Sequence, residues 1–313
     1  MKPLLGLVAA TLLLLPLIAA CGSDDGGSSS SLTKDDLGRS VAPPATATKV
    51  VALSPSIVEL MYAVGATPIG RPTSANYPDA ARSVPSFGES RTPNLEEIAR
   101  LQPDLIIADA LLHKDMADSI ASQLRVPVYA VKVSSFEDVT RSLRVVGALT
   151  GRKDAGTTAA ADLERKLGDI KAKLPSNGPS VLVLVAAGQN QFIAARSNSY
   201  LGDMLNQLGA RNLVTTEPEN FDYAGFTDYS LEHIIDKNPD VVITVSIGGP
   251  PGTPKTSDIL KSVPALASLK AVREGRVYEV DNFVYIQSAG PRVAQILDEM
   301  PPILYPNIFA RAP

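Results

Sequence analysis

Two hydrophobic rhythms alternate along the chain. Short continuous runs of β-branched and aliphatic residues occur at Lys49 to Leu53, Leu105 to Ala108, Val126 to Val131, Val181 to Ala186 and Val241 to Val245. Such runs are typical of parallel strands buried on both faces. Between them, apolar residues recur at helical spacing, as in Met116 to Leu124. Strand and helix alternate as in a doubly wound sheet, which predicts an α/β fold. One unit occurs twice: Asn94 to Asp109 reads NLEEIARLQPDLIIAD and Ser230 to Ser246 reads SLEHIIDKNPDVVITVS. In each, a polar N-cap (Asn94 or Ser230) opens a short helix, Pro103 or Pro239 stops it, and a buried-type strand follows. Two copies of one helix-to-strand unit predict two lobes of similar build.

The first lobe is expected over residues 49–134. Its opening strand runs into Ser54-Pro55-Ser56, where Ser54 is a natural N-cap, Pro55 suits the first helical position and Gly65 ends the helix. This places a helix N-terminus at the carboxyl end of a strand, the rim where open α/β sheets bind ligands. Over residues 135–175, Val139, Leu143, Val146, Leu149, Leu163, Leu167 and Ile170 keep helical spacing and predict one long connecting helix, weakened in its middle by Gly147, Gly151 and Gly156. The second lobe is expected over residues 176–313.

The N-terminus changes the picture of where the protein works. Lys2 and the apolar run Leu4 to Ala20 have the layout of a secretory signal over residues 1–20, not of a membrane span. Ile18-Ala19-Ala20-Cys21 resembles a bacterial lipoprotein lipobox, which implies lipidation of Cys21 and attachment to the extracytoplasmic side of the cell envelope. Residues 21–48, rich in Gly, Ser and Pro, are expected to form a flexible tether. The whole chain has a formal net charge of −4, and loss of Lys2 with the signal leaves it at −5. A mildly acidic exported protein is a poor candidate for nucleic acid. With the single cysteine lipidated, disulfides and cysteine metal sites are excluded.

Glu96 and Glu232 occupy equivalent places in the first turn of the two repeated helices. Asn94 and Glu97 make a plausible capping box, which frees Glu96 to face outward. Acids in a first turn are favoured by the helix dipole, but a symmetric pair points to a paired docking feature. Enzyme signatures are weak: Gly248 to Thr256 has Pro254 where a phosphate loop needs Gly, and neither a G-x-S-x-G elbow nor an H-E-x-x-H motif occurs. No catalytic residue, metal site or cofactor is assigned. Two histidines, His113 in a loop expected to be solvated and His233 on the second repeated helix, argue against a bare-metal importer.

The lipobox, LSPSIVELMYAVGA, the two repeats, SYLGDMLNQLGARNL and GPRVAQILDEM together resemble the solute-binding proteins of ABC importers for ferric siderophores, cobalamin and haem, from Lys49 to the C-terminus. The resemblance implies two Rossmann-like lobes with central sheets, joined by one long helix and holding ligand in the cleft between them. It implies a monomer that captures a ferric siderophore, with cobalamin or haem as the alternative, and docks through Glu96 and Glu232 on arginines of an ABC permease. The cleft is expected to use Tyr77, Arg91, Gln189, Arg196, Tyr223 and Tyr285. Arg91 lies one position from a ligand-contacting arginine of some siderophore binders, with Ser90 at the matching place. Arg292 in GPR reads as structural. A lipoprotein enzyme or a sensor on the same architecture is the competing class.

Overall fold

In the computed structural model, residues 33–188, 191–215, 217–220, 224–247, 252–287 and 289–309 are described. A two-stranded ribbon, β1 (Thr33–Lys34) and β2 (Ser40–Val41), precedes the first lobe. That lobe consists of β3 (Val50–Ala52), α1 (Pro55–Ala63), α2 (Leu95–Arg100), β4 (Leu105–Asp109), α3 (Ala117–Leu124) and β5 (Val128–Val131). Its sheet is all parallel in the order β3-β4-β5, and single bridges at Gly70 and Arg71 continue it past β3. Ser54 caps α1 by accepting from the Ile57 N–H, and Gly65 follows the helix at φ +74°.

Next come α4 (Phe136–Leu149) and α5 (Lys153–Lys171). The expectation of one unbroken helix is corrected here. The chain turns at Thr150 to Arg152, with Gly151 at φ +69°, and the two helices pack against each other, joined by an ion pair from Arg144 to Glu164 at 2.7 Å. Gly147 and Gly156 mark the point of closest approach, not a weak spot. A Cβ on Gly156 would stand 2.4 Å from the Leu143 carbonyl oxygen, and one on Gly147 3.0 Å from the Gly156 Cα. The connection into the second lobe is α5 alone.

The second lobe contains β6 (Ser180–Gly188), β7 (Gln191–Ala195), α6 (Tyr200–Gln207), β8 (Arg211–Asn212), β9 (Phe226–Tyr229), α7 (Leu231–Lys237), β10 (Val241–Val245), α8 (Thr256–Ser262), α9 (Lys270–Arg273), β11 (Val277–Val280) and α10 (Val293–Leu304). Its sheet runs β11-β10-β6-β7-β9, with β8 beside the start of β6. Strands β11, β10 and β6 are parallel, and β7 is antiparallel to both of its neighbours.

Both sheets are buried on two faces, as their unbroken apolar runs require. Alternate residues Val51, Ile106, Val128 and Ala130 pack on Ile98 and Ile120 from α2 and α3. Leu182, Leu184 and Val242 do the same on Ile234 and Leu260 from α7 and α8. The opposite faces, Val50, Ala52 and Ile107 in one lobe and Val181, Val183 and Ile243 in the other, belong to a single core that α1, α4, α5, α6 and α10 carry from lobe to lobe. The lobes are therefore welded at their inner faces.

The expectation of a tether reaching residue 48 is also corrected. Residues 33–48 are ordered: Asp35, Asp36 and Arg39 form a strap along the free edge of β5, and Ala47 and Thr48 bond to Leu149 and Asp104. The Asp36 N–H donates to the Ala130 carbonyl at 3.0 Å, and the buried Asp35 carboxylate accepts from the Ala130 N–H at 3.2 Å. Arg39 pairs with Asp35 and reaches Asp118 at 2.8 Å, while Arg141 pairs with Asp36. An edge strand with unpaired N–H and C=O groups is open to association, and the strap covers it.

Candidate functional site

The repeated units set the geometry of the two glutamates. Asn94 accepts from the N–H groups of Glu96 and Glu97 at 3.0 and 3.2 Å. The other half of the expected capping box does not form, because the Asn94 N–H donates to the Phe87 carbonyl and Glu97 turns to Arg100. Glu96 is exposed, as expected. In the second copy Ser230 accepts from the His233 N–H at 3.3 Å, and Glu232 is exposed. The Glu232 carboxyl is held below its ordinary value by its own backbone N–H and by the Ser230 hydroxyl. Neither Glu96 nor Glu232 forms an ion pair among the described residues.

Where α7 begins there is an open pocket of about 620 Å³, lined by Gln191, Phe192, Asp228, Tyr229, Glu232 and His233 among others. It lies beside Glu232 on the second lobe, at the end of β6 and the start of β7. The Tyr229 ring touches His233 at 5.5 Å. Burial pushes the Tyr229 phenol up to about 12.

The lobes meet at a small charged cluster that sequence reasoning read only in part. Tyr77 is 52% exposed, and its ring lies under the Arg292 guanidinium, 4.6 Å from carbon to centroid. Arg292 donates to both carboxylate oxygens of Glu59 on α1, at 2.9 and 2.6 Å. Its partner Glu59 was missed; an acid on the apolar face of LSPSIVELMYAVGA was the available signal. Arg71 was missed too. Its buried guanidinium donates to the carbonyls of Val84, Pro72 and Thr73 and so shapes the loop that carries Tyr77.

Other expected cleft residues scatter. Arg91 is exposed on the loop beside His113. Arg196 is mostly buried after β7, 3.6 Å from Glu219, and its Nε has no hydrogen-bond partner. Nothing brings Arg196 to Tyr77; the arginine that meets Tyr77 is Arg292. Tyr285 is corrected: it is 1% exposed, and its hydroxyl donates to Glu299 at 2.9 Å, which leaves no ring face for a ligand. Burial, followed by the Glu299 charge, raises its phenol. Phe283, in the same π-helical turn at Phe283–Gln287, is the exposed aromatic there. Gln189, Tyr223 and Cys21 lie outside the described residues.

His113 is likewise corrected, from a solvated loop to a fully buried post. Its Nε2 lies 3.0 Å from the Ser90 carbonyl, which can only accept, so the proton sits on Nε2. Nδ1 then accepts from the Asp109 N–H at 3.1 Å. Desolvation lowers the imidazole pKa, against the carbonyls of Ser90 and Asp109 that favour the cation. The neutral ring ties the loop after β4 to the loop carrying Arg91. Among the described residues no group of three or more His, Cys, Asp or Glu could hold a metal ion.

A family model described as periplasmic binding protein matches residues 50–283. The chain belongs to that family. Among its relatives, the Fe(3+)-citrate-binding protein YfmC of Bacillus subtilis is 29% identical over 260 residues, covering 78% of this chain and 76% of that protein. The probable siderophore-binding lipoprotein YfiY of Bacillus subtilis is 26% identical over 277 residues, 84% of each chain. An ABC transporter substrate-binding protein from Listeria monocytogenes superposes with a TM-score of 0.71 at 23% identity, over 83% of this chain and 99% of that one. The two-lobe α/β architecture of this periplasmic binding protein is thus the one its sequence led us to expect.

Proposed function

We propose that this periplasmic binding protein captures a ferric chelate of the siderophore class at the junction of its lobes and delivers it to an ABC permease. One observation carries the delivery half: two exposed glutamates stand at equivalent first turns of two repeated helices, one per lobe, without ion-pair partners among the described residues. A charged pair on opposite lobes orients a docked body and speeds encounter. The names of its relatives support iron as the cargo. Tyr77 is the exposed candidate contact at the junction, with Arg91 on the first lobe and Gln189, Arg196 and Tyr223 on the second retained as further candidates. Cys21 is the proposed lipid attachment, which makes the protein a lipoprotein of the cell envelope, and we take it to act as a monomer. No catalytic role is proposed for any residue.

Two experiments test this reading. Visible absorption and native mass spectrometry of the Cys21→Ala chain should show a retained ferric charge-transfer band after exposure to ferric citrate or a ferric trihydroxamate. A Soret or corrin band retained instead would move the assignment to haem or cobalamin, and binding of none would reject the cargo. In cells, Glu96→Ala with Glu232→Ala should abolish import while ligand affinity in vitro stays within twofold; undiminished import rejects docking through this pair.

A further inference from the structure

Three side chains from two lobes meet at the lobe junction. Glu59 is on α1 and Tyr77 on the loop that Arg71 shapes, both in the first lobe, whereas Arg292 precedes α10 in the second. The Glu59 and Arg292 side chains are 3% and 12% exposed, and their contact is bidentate. A guanidinium held by two parallel N–H···O bonds has a fixed plane, and such a plane stacks well on an aromatic ring. Tyr77 thus has a cation on one face while half of its surface stays open.

We propose that Arg292 is a cross-lobe positioning residue for the ligand platform: seated by Glu59, it fixes the ring of Tyr77 from the opposite lobe. This rests on the reading of Tyr77 as a cleft residue. The consequence is that the first lobe's aromatic surface is set only when the lobes hold the register that the Glu59–Arg292 pair imposes. A ring with a cation on its inner face is a poor partner for a second cation. The platform therefore suits an anionic or neutral chelate with a flat face.

The chain contains no tryptophan, so Tyr77→Trp provides a single fluorophore at the platform. It is compared alone, with Arg292→Lys, and with Arg292→Met in a Glu59→Gln background, where no buried charge is left unpaired. Loss of Arg292 is expected to raise the acrylamide quenching constant of the Tyr77→Trp indole at least twofold and to lower its anisotropy, with Lys intermediate. A Tyr278→Trp reporter on β11 in the same backgrounds should stay unchanged; an equal rise at both positions means general loosening and overturns the proposal, as does no rise in the Tyr77→Trp chain. Titration with ferric citrate and with haem separates the two readings. A dissociation constant at least fivefold weaker without Arg292 supports the proposal, and one shifted less than twofold overturns it. If neither probe alters emission from the Tyr77→Trp reporter while its quenching still depends on Arg292, the cleft reading of Tyr77 fails and the positioning of the ring stands.

Discussion

The two repeated units are built alike and used differently. Each has a side-chain N-cap, a residue with positive φ at or just past the helix C-cap (Gln102 at 50°, Asn238 at 39°), a proline, and an aspartate at the foot of the next strand. Each aspartate does the same work. Asp104 accepts from the N–H groups of Thr48 and Lys49, just before β3, and Asp240 accepts from the N–H and hydroxyl of Ser180, at the start of β6. The differences lie outside the unit. In the first lobe it sits in a small all-parallel sheet whose free edge is strapped; in the second it sits in a mixed sheet, Lys270 joins Asp240 at 2.6 Å, and a pocket opens beside Glu232. The unit thus secures a strand and presents a glutamate whatever surrounds it, and the surroundings distinguish the two faces.

The sharpest way to break this equivalence is through its hydrophobic anchors. Ile98 and Ile234 are each fully buried beneath their helices. Ile98→Ala and Ile234→Ala should each destabilise by about 2–5 kcal/mol in urea unfolding. Losses that differ by more than about twofold would show that one copy has lost its structural role. Next come the aspartates. Asp240→Asn should cost about 1–3 kcal/mol at pH 7, more than Asp104→Asn, because a cation assists its hydrogen bonds. Although burial opposes it, hydrogen bonding from Lys270 and Ser180 holds the Asp240 carboxyl down to about 2. A folded pKa below the unfolded one stabilises above about pH 4 and loses that contribution as pH falls toward 2. The gap in melting temperature between wild type and Asp240→Asn should therefore close over that window; a gap independent of pH refutes the carboxylate's role.

His113 offers a pH test confined to the first lobe. Its folded pKa is lowered, so stability should fall as pH drops below about 6.5, where the unfolded ring takes up its proton. Melting temperatures at pH 8 and pH 5 should differ less in His113→Gln than in wild type. The smallest effect expected is at the caps: Asn94→Ala and Ser230→Ala at about 1 kcal/mol each, with Asn94 costing more because it accepts two N–H groups and Ser230 one.

Strands β3 to β6 and β10, the Ser54, Asn94 and Ser230 caps and the paired glutamates were legible because each depends on a few neighbouring residues. What was misread depends on distant partners. The strap is polar and turn-rich, and its order comes from Asp118, Lys132 and Arg141, about 80 to 105 positions away. Residues 135–175 kept their apolar spacing through Gly151, so the turn was hidden by the very periodicity that marks both helices. Tyr285 and His113 look the same in sequence whether they face a cleft or a core; Glu299 and the Ser90 carbonyl decide it. The partner of Arg292 was hidden because Glu59 stands 233 positions earlier.

The strap also bears on how far a lipid-anchored form of the protein could roam. Were Cys21 the lipid attachment proposed above, the ordered strap would stand only twelve positions from it, at Thr33. Twelve residue steps reach at most about 40 Å. A body on so short a reach would be confined to a layer about 40 Å deep above its own membrane, and would meet a permease by diffusion along that surface. Its encounters would then depend on how many copies share that surface and not on the bulk.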